Sequence, residues 1–273
     1  MKQVLLAGCG KMGSAMLEGW ISRLDDPMHF TVVDPALAGD DHPLKKSFGQ
    51  AGNVTLLAQL DDSTPAPDLV VLAVKPQMMA EALPPLTRLA RPDTVWLSIA
   101  AGISMPWLQA AIAPDAAVIR TMPNTPSAIG RGVTAIIASA AVPADMDALA
   151  ERMLGVIGRV VRLKDEADMD AVTAVSGSGP AYVFLMREAL EQAALKAGLA
   201  PELASVLAAE TMAGSVALMQ ESDQSPGQLR VNVTSPGGTT QAALDVLMAE
   251  DGLMALLEDA VMAARNRSKA LGN

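Results

Sequence analysis

Residues 4–13 read Val4-Leu5-Leu6-Ala7-Gly8-Cys9-Gly10-Lys11-Met12-Gly13, an apolar run that passes without a break into G-x-G-x-x-G. The apolar run predicts a strand covered on both faces, and Lys11–Ser22 predicts the helix that follows it. Each glycine has its own task in such a junction. Gly8 permits the tight turn, Gly10 lets the backbone approach a pyrophosphate, and Gly13 lets helix and strand pack closely. The helix N-terminus adds unpaired N–H groups and the positive end of its dipole, with Cys9, Lys11 and Met12 completing the loop around the phosphates. A lone glycine turn would mean little. At the start of a βαβ pattern it predicts a Rossmann-type, dinucleotide-binding α/β domain.

The pattern continues outward from this stretch. Phe30–Val33, Leu69–Val74, Thr94–Ile99, Ala117–Arg120 and Val133–Ala138 are short apolar runs, separated by helical segments such as Met78–Leu89. Continuous rather than alternating apolarity is the mark of a parallel sheet with helices on both faces. From about Lys164 the strand signals stop. Asp165–Val175, Ala181–Ala197, Pro201–Gln220, Thr239–Glu250 and Leu253–Leu271 are rich in Ala, Leu, Met and Glu and predict helices. Two domains follow: residues 1–163, the α/β dinucleotide-binding half, and residues 164–273, an all-α half. Leu203–Met219 is apolar around most of its circumference, so it must be buried. A domain of ~110 residues can hardly enclose such a helix, and a second subunit is expected to cover it; the alternative is the central helix of a monomeric bundle.

Of the 273 residues 51% are hydrophobic, which excludes disorder, and only 3% are aromatic, which argues against a base-stacking nucleic-acid module. The net charge of −10 is lopsided: residues 1–163 hold 13 basic and 15 acidic side chains, residues 164–273 hold 7 and 15. Neither half offers the basic field that nucleic acid or an anionic membrane requires. The single cysteine, Cys9, precludes an internal disulfide and fits a reducing compartment, so the expected location is the cytoplasm. Glycines by residue 8 come too early for a signal peptide. Thr94–Pro114 is uncharged but contains Ser98, Gly102, Ser104, Pro106 and Gln109, and reads as strand, turn and short helix rather than a membrane span.

Further candidates lie at the ends of the predicted strands. Asp34 ends the second, 21 residues beyond Gly13, where a carboxylate would accept hydrogen bonds from an adenosine ribose. Asp34-Pro35 is equally a helix N-cap followed by proline, and the two roles can coexist. Lys45 and Lys46, the nearest cations in sequence, lie too far along a helix to read a 2′-phosphate. Ala73-Val74-Lys75-Pro76 ends the third strand, with Lys75 either facing the cofactor or capping the strand in solvent. Ile99, Ala100 and Ala101 end the fourth with the small residues that close approach of a nicotinamide requires. Arg120-Thr121-Met122-Pro123-Asn124-Thr125-Pro126 is a rigid loop at the same crevice.

The helical half contributes Ser176-Gly177-Ser178-Gly179-Pro180 and Thr234-Ser235-Pro236-Gly237-Gly238-Thr239-Thr240. Both combine N–H donors, hydroxyls and a following helix N-terminus, which is apparatus for a small carboxylate, though each is also a plausible capping turn. No metal-ligand cluster and no Ser/His/Asp arrangement is apparent; His29 and His42 read as surface residues. The helical half has no histidine, and Lys164, Lys196 and Lys269 stand away from both loops. A ketone reductase needs an acid to protonate the alkoxide. An iminium substrate, already protonated, does not.

These blocks resemble the pyrroline-5-carboxylate reductases: GCGKMG at 8–13, AVKPQ at 73–77, SIAAGIS at 98–104, RTMPNTP at 120–126, AVSGSGPAYVF at 174–184 and PGQLRVNVTSPGGTTQAAL at 226–244. The resemblance implies NADPH- or NADH-dependent reduction of 1-pyrroline-5-carboxylate to L-proline, the last step of proline biosynthesis. It implies an interlocked homodimer, which in the family often assembles into a decamer, and a site between the domains completed by the partner. By the matching motif, Ser235, Pro236, Gly237, Gly238 and Thr239 hold the substrate carboxylate. Thr240 hydrogen-bonds the ring nitrogen as the catalytic residue, and Asn232 lies against the nicotinamide. Ser176 and Gly179 line the pocket, and Asn124 belongs to the cofactor loop. Asp223 stands where the family commonly has a glutamate, with a shorter reach. Asp34 departs from the small polar or basic residues usual in members that prefer NADPH, which leaves both nucleotides open. Two rivals remain. A β-hydroxyacid dehydrogenase would carry a catalytic lysine after its second glycine motif, where Ala181–Leu185 has none. A nicotinamide-binding regulatory protein would have no need of a second-substrate loop.

Overall fold

The computed structural model describes residues 1–39 and 41–271. Eight strands, β1 Lys2–Ala7, β2 Met28–Val33, β3 Val54–Leu57, β4 Leu69–Leu72, β5 Val95–Ser98, β6 Ala117–Met122, β7 Gly132–Ala138 and β8 Gly158–Arg162, form one sheet in the order 3-2-1-4-5-6-7-8. β1 pairs in parallel with β2 on one side and with β4 on the other, so the strand order reverses around β1. Ligands of open α/β sheets bind at that reversal, outside the carboxyl ends of the strands.

Helices cover both faces, as the continuous apolar runs require. Along β1, Val4 and Leu6 join a core with α1 (Lys11–Arg23) and α5 (Ala144–Gly155), represented by Met16, Leu17, Trp20 and Met153. Leu5 and Ala7 point the other way, into a core with α3 (Met79–Leu89) and α4 (Met105–Ile112), where Met79, Leu83 and Leu108 are buried. Between β2 and β3 lies the short α2 (Pro43–Phe48).

The sheet differs from the expected pattern in two ways. β7 runs antiparallel to β6. A parallel partner needs a crossover of about a dozen residues or more, and the segment 123–131 that joins these strands is too short. β3 and β8 carry no continuous apolar signal in the sequence because both are edge strands. Their residues are mostly half-buried or exposed, so neither shows a continuous apolar run. Arg159 and Arg162 charge the β8 edge, a feature that disfavours pairing with another chain.

The chain divides into two compact units, Met1–Gly177 with the C-terminal stretch from Ala264, and Ser178–Ala263. This division falls later than residue 163 because 164–177 are tied to the sheet unit. The Arg120 guanidinium, buried within β6, donates to Glu166 Oε1 at 2.6 Å, and the Met105 N–H donates to the same oxygen at 2.7 Å. Asn124 Nδ2 reaches the Ser176 carbonyl at 3.1 Å. The segment itself is α6 (Met169–Val172) followed by a π-helical turn, Thr173–Gly177.

In the second unit α7 (Gly179–Lys196) and α8 (Pro201–Glu221) are joined by a tight turn. Gly198, at φ +95°, donates to Leu195 O, and the Leu199 N–H donates to Ala194 O, the paired bonds of a Schellman cap. α9 (Pro226–Asn232), α10 (Thr239–Leu247) and α11 (Leu253–Leu271) follow, the last continuing into the first unit's C-terminal stretch. α8 is not the centre of a monomeric bundle. Only Ala204 and Ala208 of it are buried, while Val206 is 58% and Leu218 55% exposed. Phe184 and Leu185 of α7 are also exposed. An apolar surface of this extent marks a contact with another molecule. By length and apolarity alone α8 would also suffice to cross a membrane.

Candidate active site

The carboxyl ends of β1, β2, β4, β5 and β6 share one edge of the sheet, and the cofactor residues predicted from sequence in the first unit follow those ends. Gly8 has φ +95°, and a Cβ there would stand 2.7 Å from the Ala73 carbonyl oxygen, so side chain and backbone conformation are both excluded. A Cβ on Gly13 would collide with the Gly8 carbonyl, which is how α1 comes so close to the loop. Around Gly10 there is open space, and Gly10 begins α1 without a side-chain cap. The first N–H groups of α1 therefore face a gap that a phosphate can enter. Ser14 Oγ donates to Cys9 O at 2.7 Å and braces the loop from behind. Lys11 is exposed at its rim; Met12 packs against the core.

Asp34 does two things at once. Its Oδ1 accepts from the Ala36 N–H at 2.8 Å and so caps the short helical turn Pro35–Ala38, while Oδ2 accepts from the Cys9 N–H at 2.8 Å. Burial pushes this carboxyl up, but the Cys9 and Ala36 N–H groups, the Cys9 thiol and the nearby His42 ring outweigh it, and the group is held below its ordinary value. The buried Cys9 thiol moves the other way. Burial, then the Asp34 charge, then the hydrogen bond to that carboxylate push it up to about 12, against a smaller opposing effect of a backbone hydrogen bond. Cys9 is thus a neutral, inert thiol under the phosphate loop.

Beside the loop lies a pocket of about 410 Å³, lined by Ala7, Val33, Pro35, Gln59, Leu60, Val74, Met78 and Glu81 among others. It sits where the strand order reverses, is largely apolar, and has the form of a site for a flat nucleobase. The sequence pointed to Val74 but not to Gln59, Leu60 or Glu81, because the first two follow the unrecognised β3 and the third is an ordinary helix residue. Ala73 donates to Ala7 O at 2.8 Å, and Lys75 is exposed at the start of the turn opened by Pro76. Ile99, Ala100 and Ala101 follow β5, with Ile99 N–H bonded to Leu72 O and Ala100 N–H to Ser98 Oγ. Asn124 has both ends of its amide committed, Oδ1 to the Val133 N–H at 2.9 Å and Nδ2 to Ser176 O, so its side chain holds the loop together. The Ser176 hydroxyl bonds back to Val172 O inside the π-helical turn. His29 contacts Thr55 Oγ1 and His42 caps α2, both structural roles.

In the second unit, Thr234 Oγ1 donates to Arg230 O and starts the loop, and the Gly238 N–H donates to Ser235 O within it. Gly237 takes φ +69°, which brings the chain round to α10. Gly238 begins α10 without a side-chain cap, so N–H groups of Thr239 and Thr240 and the exposed Ser235 hydroxyl lie at a helix N-terminus. Asn232 is held by Gln228 at 2.9 Å and by Gln224 at 2.7 Å. Gly179 is the first residue of α7, and Asp223 is exposed between α8 and α9. No lysine occurs in α7 before its last residue, Lys196, which removes the anchor of the β-hydroxyacid dehydrogenase reading. Among the described residues no cluster of His, Cys, Asp and Glu could hold a metal ion.

A glycine-rich loop and an apolar pocket at the reversal of a Rossmann sheet, followed by a helical unit, place the chain among the two-domain dinucleotide-dependent oxidoreductases. The chain belongs to the pyrroline-5-carboxylate reductase family. It is 39% identical to the pyrroline-5-carboxylate reductase of Synechocystis sp. over 99% of this chain and 98% of that one. It is 43% identical to the Pseudomonas aeruginosa enzyme over 75% of this chain and 74% of the relative. The family profile for pyrroline-5-carboxylate reductase dimerisation matches residues 166–271, and one for NADP oxidoreductase, coenzyme F420-dependent, matches 3–102. Among solved structures, a pyrroline-5-carboxylate reductase from Coxiella burnetii superposes with TM-score 0.86 at 33% identity, covering 100% of this chain and 99% of that one. The Plasmodium falciparum pyrroline carboxylate reductase with NADP bound gives 0.83 at 28% identity, covering 100% and 98%.

Proposed function

We propose that this protein is a pyrroline-5-carboxylate reductase that converts 1-pyrroline-5-carboxylate and NAD(P)H into L-proline and NAD(P)+. The observation that carries the reading is the pairing of a cradle that only glycine can build, Gly8 and Gly13 around an open Gly10, with the uncapped loop at the start of α10. Gly8 to Gly13 and the α1 N-terminus fit a pyrophosphate, and Asp34, Ala73, Val74, Lys75, Pro76, Ile99, Ala100, Ala101, Asn124 and Asn232 complete the groups that hold the nucleotide. When bound, the reduced nicotinamide supplies hydride to the imine carbon.

The chain's own residues do the rest. N–H groups from Ser235 to Thr239 and the Ser235 hydroxyl hold the substrate carboxylate, with Pro236, Gly237 and Gly238 setting the loop's shape. The Thr240 hydroxyl hydrogen-bonds the ring nitrogen and fixes the face presented for reduction. Ser176, Gly179 and Asp223 complete the substrate pocket. No residue is needed to protonate an alkoxide, because the nitrogen that gains electrons arrives protonated; rate enhancement comes from proximity, orientation and preorganised dipoles. Residues 164–273 also form the homodimer, with a second copy covering the apolar surface of α8. The protein acts in the cytoplasm, and the dimers assemble further, up to a decamer. Oxidation of NAD(P)H on addition of 1-pyrroline-5-carboxylate, with proline as product, tests the reading; absence of substrate-dependent oxidation with both nucleotides refutes it.

A further inference from the structure

We infer that this chain discriminates against NADPH in favour of NADH, and that Asp34 is the specificity-determining residue. The inference rests on the cofactor reading above and deepens it. An ionised carboxylate accepts about four hydrogen bonds. Asp34 spends two on the Cys9 and Ala36 N–H groups, both at 2.8 Å, which clamp it between the phosphate loop and the turn after β2, and a third on the Cys9 thiol. The lone pair that remains suits a hydroxyl of an unmodified ribose, which donates. A 2′-phosphate reverses the fit. It carries roughly −1.5 to −2 charge at neutral pH and chiefly accepts hydrogen bonds.

Among the described residues, the pocket beside Asp34 offers that phosphate no cation. The pocket next to Asp34, lined by its chain neighbours Val33 and Pro35, contains no lysine or arginine, and its one charged residue is Glu81. Lys46 is paired with Asp41 at 3.2 Å. His42 Nδ1 accepts from the Leu44 N–H, which commits that lone pair to capping α2. A site for NADPH would place a cation or a small donor where this chain places an anchored anion.

The test is equilibrium binding by calorimetry on the full chain, with NADH, NADPH, ADP-ribose and 2′-phospho-ADP-ribose. Expected is at least tenfold tighter binding of NADH and ADP-ribose than of their 2′-phosphorylated counterparts, with the ratio shrinking as salt screens the charge. Asp34→Asn and Asp34→Ser should bring the ratio below threefold, weakening NADH and strengthening NADPH. Equal or tighter binding of the phosphorylated ligands by the wild type overturns the inference while leaving the cofactor reading intact. An unchanged ratio in the folded variants also overturns it. Failure of all four ligands to bind refutes both. Should the variants not fold, the wild-type ratio and its salt dependence decide alone.

Discussion

Alkaline pH should destabilise this protein through one buried thiol. Cys9 is 6% exposed and its folded-state value is pushed up to about 12. In the unfolded chain the thiol returns to about 8.5. Between those two values the unfolded state has released the proton and the folded state has kept it, so stability falls as pH rises. The stabilisation is fully present below about 8.5 and lost progressively above it. At pH 10 the loss relative to pH 7.5 is roughly 1–2 kcal/mol from this group alone. Asp34 stays ionised throughout that window and adds nothing to the slope, because its own value is lowered. The assay is urea unfolding at pH 7.5 and pH 10, under reducing conditions and at fixed protomer concentration, for the wild type and Cys9→Ala. The alanine variant removes this titration and keeps all others. The wild type should lose roughly 1–2 kcal/mol more than Cys9→Ala between the two pH values. A parallel decline would show that the thiolate is not excluded from the space under the phosphate loop.

Thr240→Ala should lower kcat by about ten- to a hundredfold, the worth of a hydrogen bond to a charged group, with NADH affinity changed less than about twofold; near-wild-type turnover removes Thr240 from the chemistry. Glu166→Ala leaves the Arg120 guanidinium, 6% exposed in its side chain, without its partner. It should cost about 3–5 kcal/mol in chemical unfolding. Glu166→Gln, whose amide oxygen still accepts from Arg120 and the Met105 N–H, should cost clearly less. Val206→Glu combined with Leu218→Glu places charge on the exposed face of α8 and should shift the protein to monomers in light scattering; an unchanged mass would place the subunit contact elsewhere.

Residues 4–13 carried most of what could be read in advance about the first unit. The structure shows the turn at Gly8 and the close packing at Gly13, and leaves open space around Gly10. The central strands were equally legible, because burial on both faces leaves a continuous apolar run. β3 and β8 were not, since an edge strand need not be apolar and Arg159 and Arg162 hide the second among charges. Asp34 was legible as either a cap or a ribose ligand. The structure shows the capping bond to Ala36 and a second bond to Cys9 that no spacing rule anticipates, because it links the loops after two different strands. Asn124 stood in a conspicuous loop, yet its amide is committed to Val133 and Ser176, partners visible only once the chain has closed on itself.

Local chemistry alone therefore settled the class of domain, the glycine-rich turn after β1 and the helical character of the second half. These follow from φ/ψ preference, apolar period and helix-end geometry, all of which act over a few residues. Tertiary structure decided the antiparallel turn of β7, the attachment of 164–177 to the sheet unit through Arg120 and Glu166, and the opposite pKa shifts of Cys9 and Asp34. Each of these depends on which groups distant in the chain come within hydrogen-bonding or screening distance. Packing in three dimensions alone supplies that information.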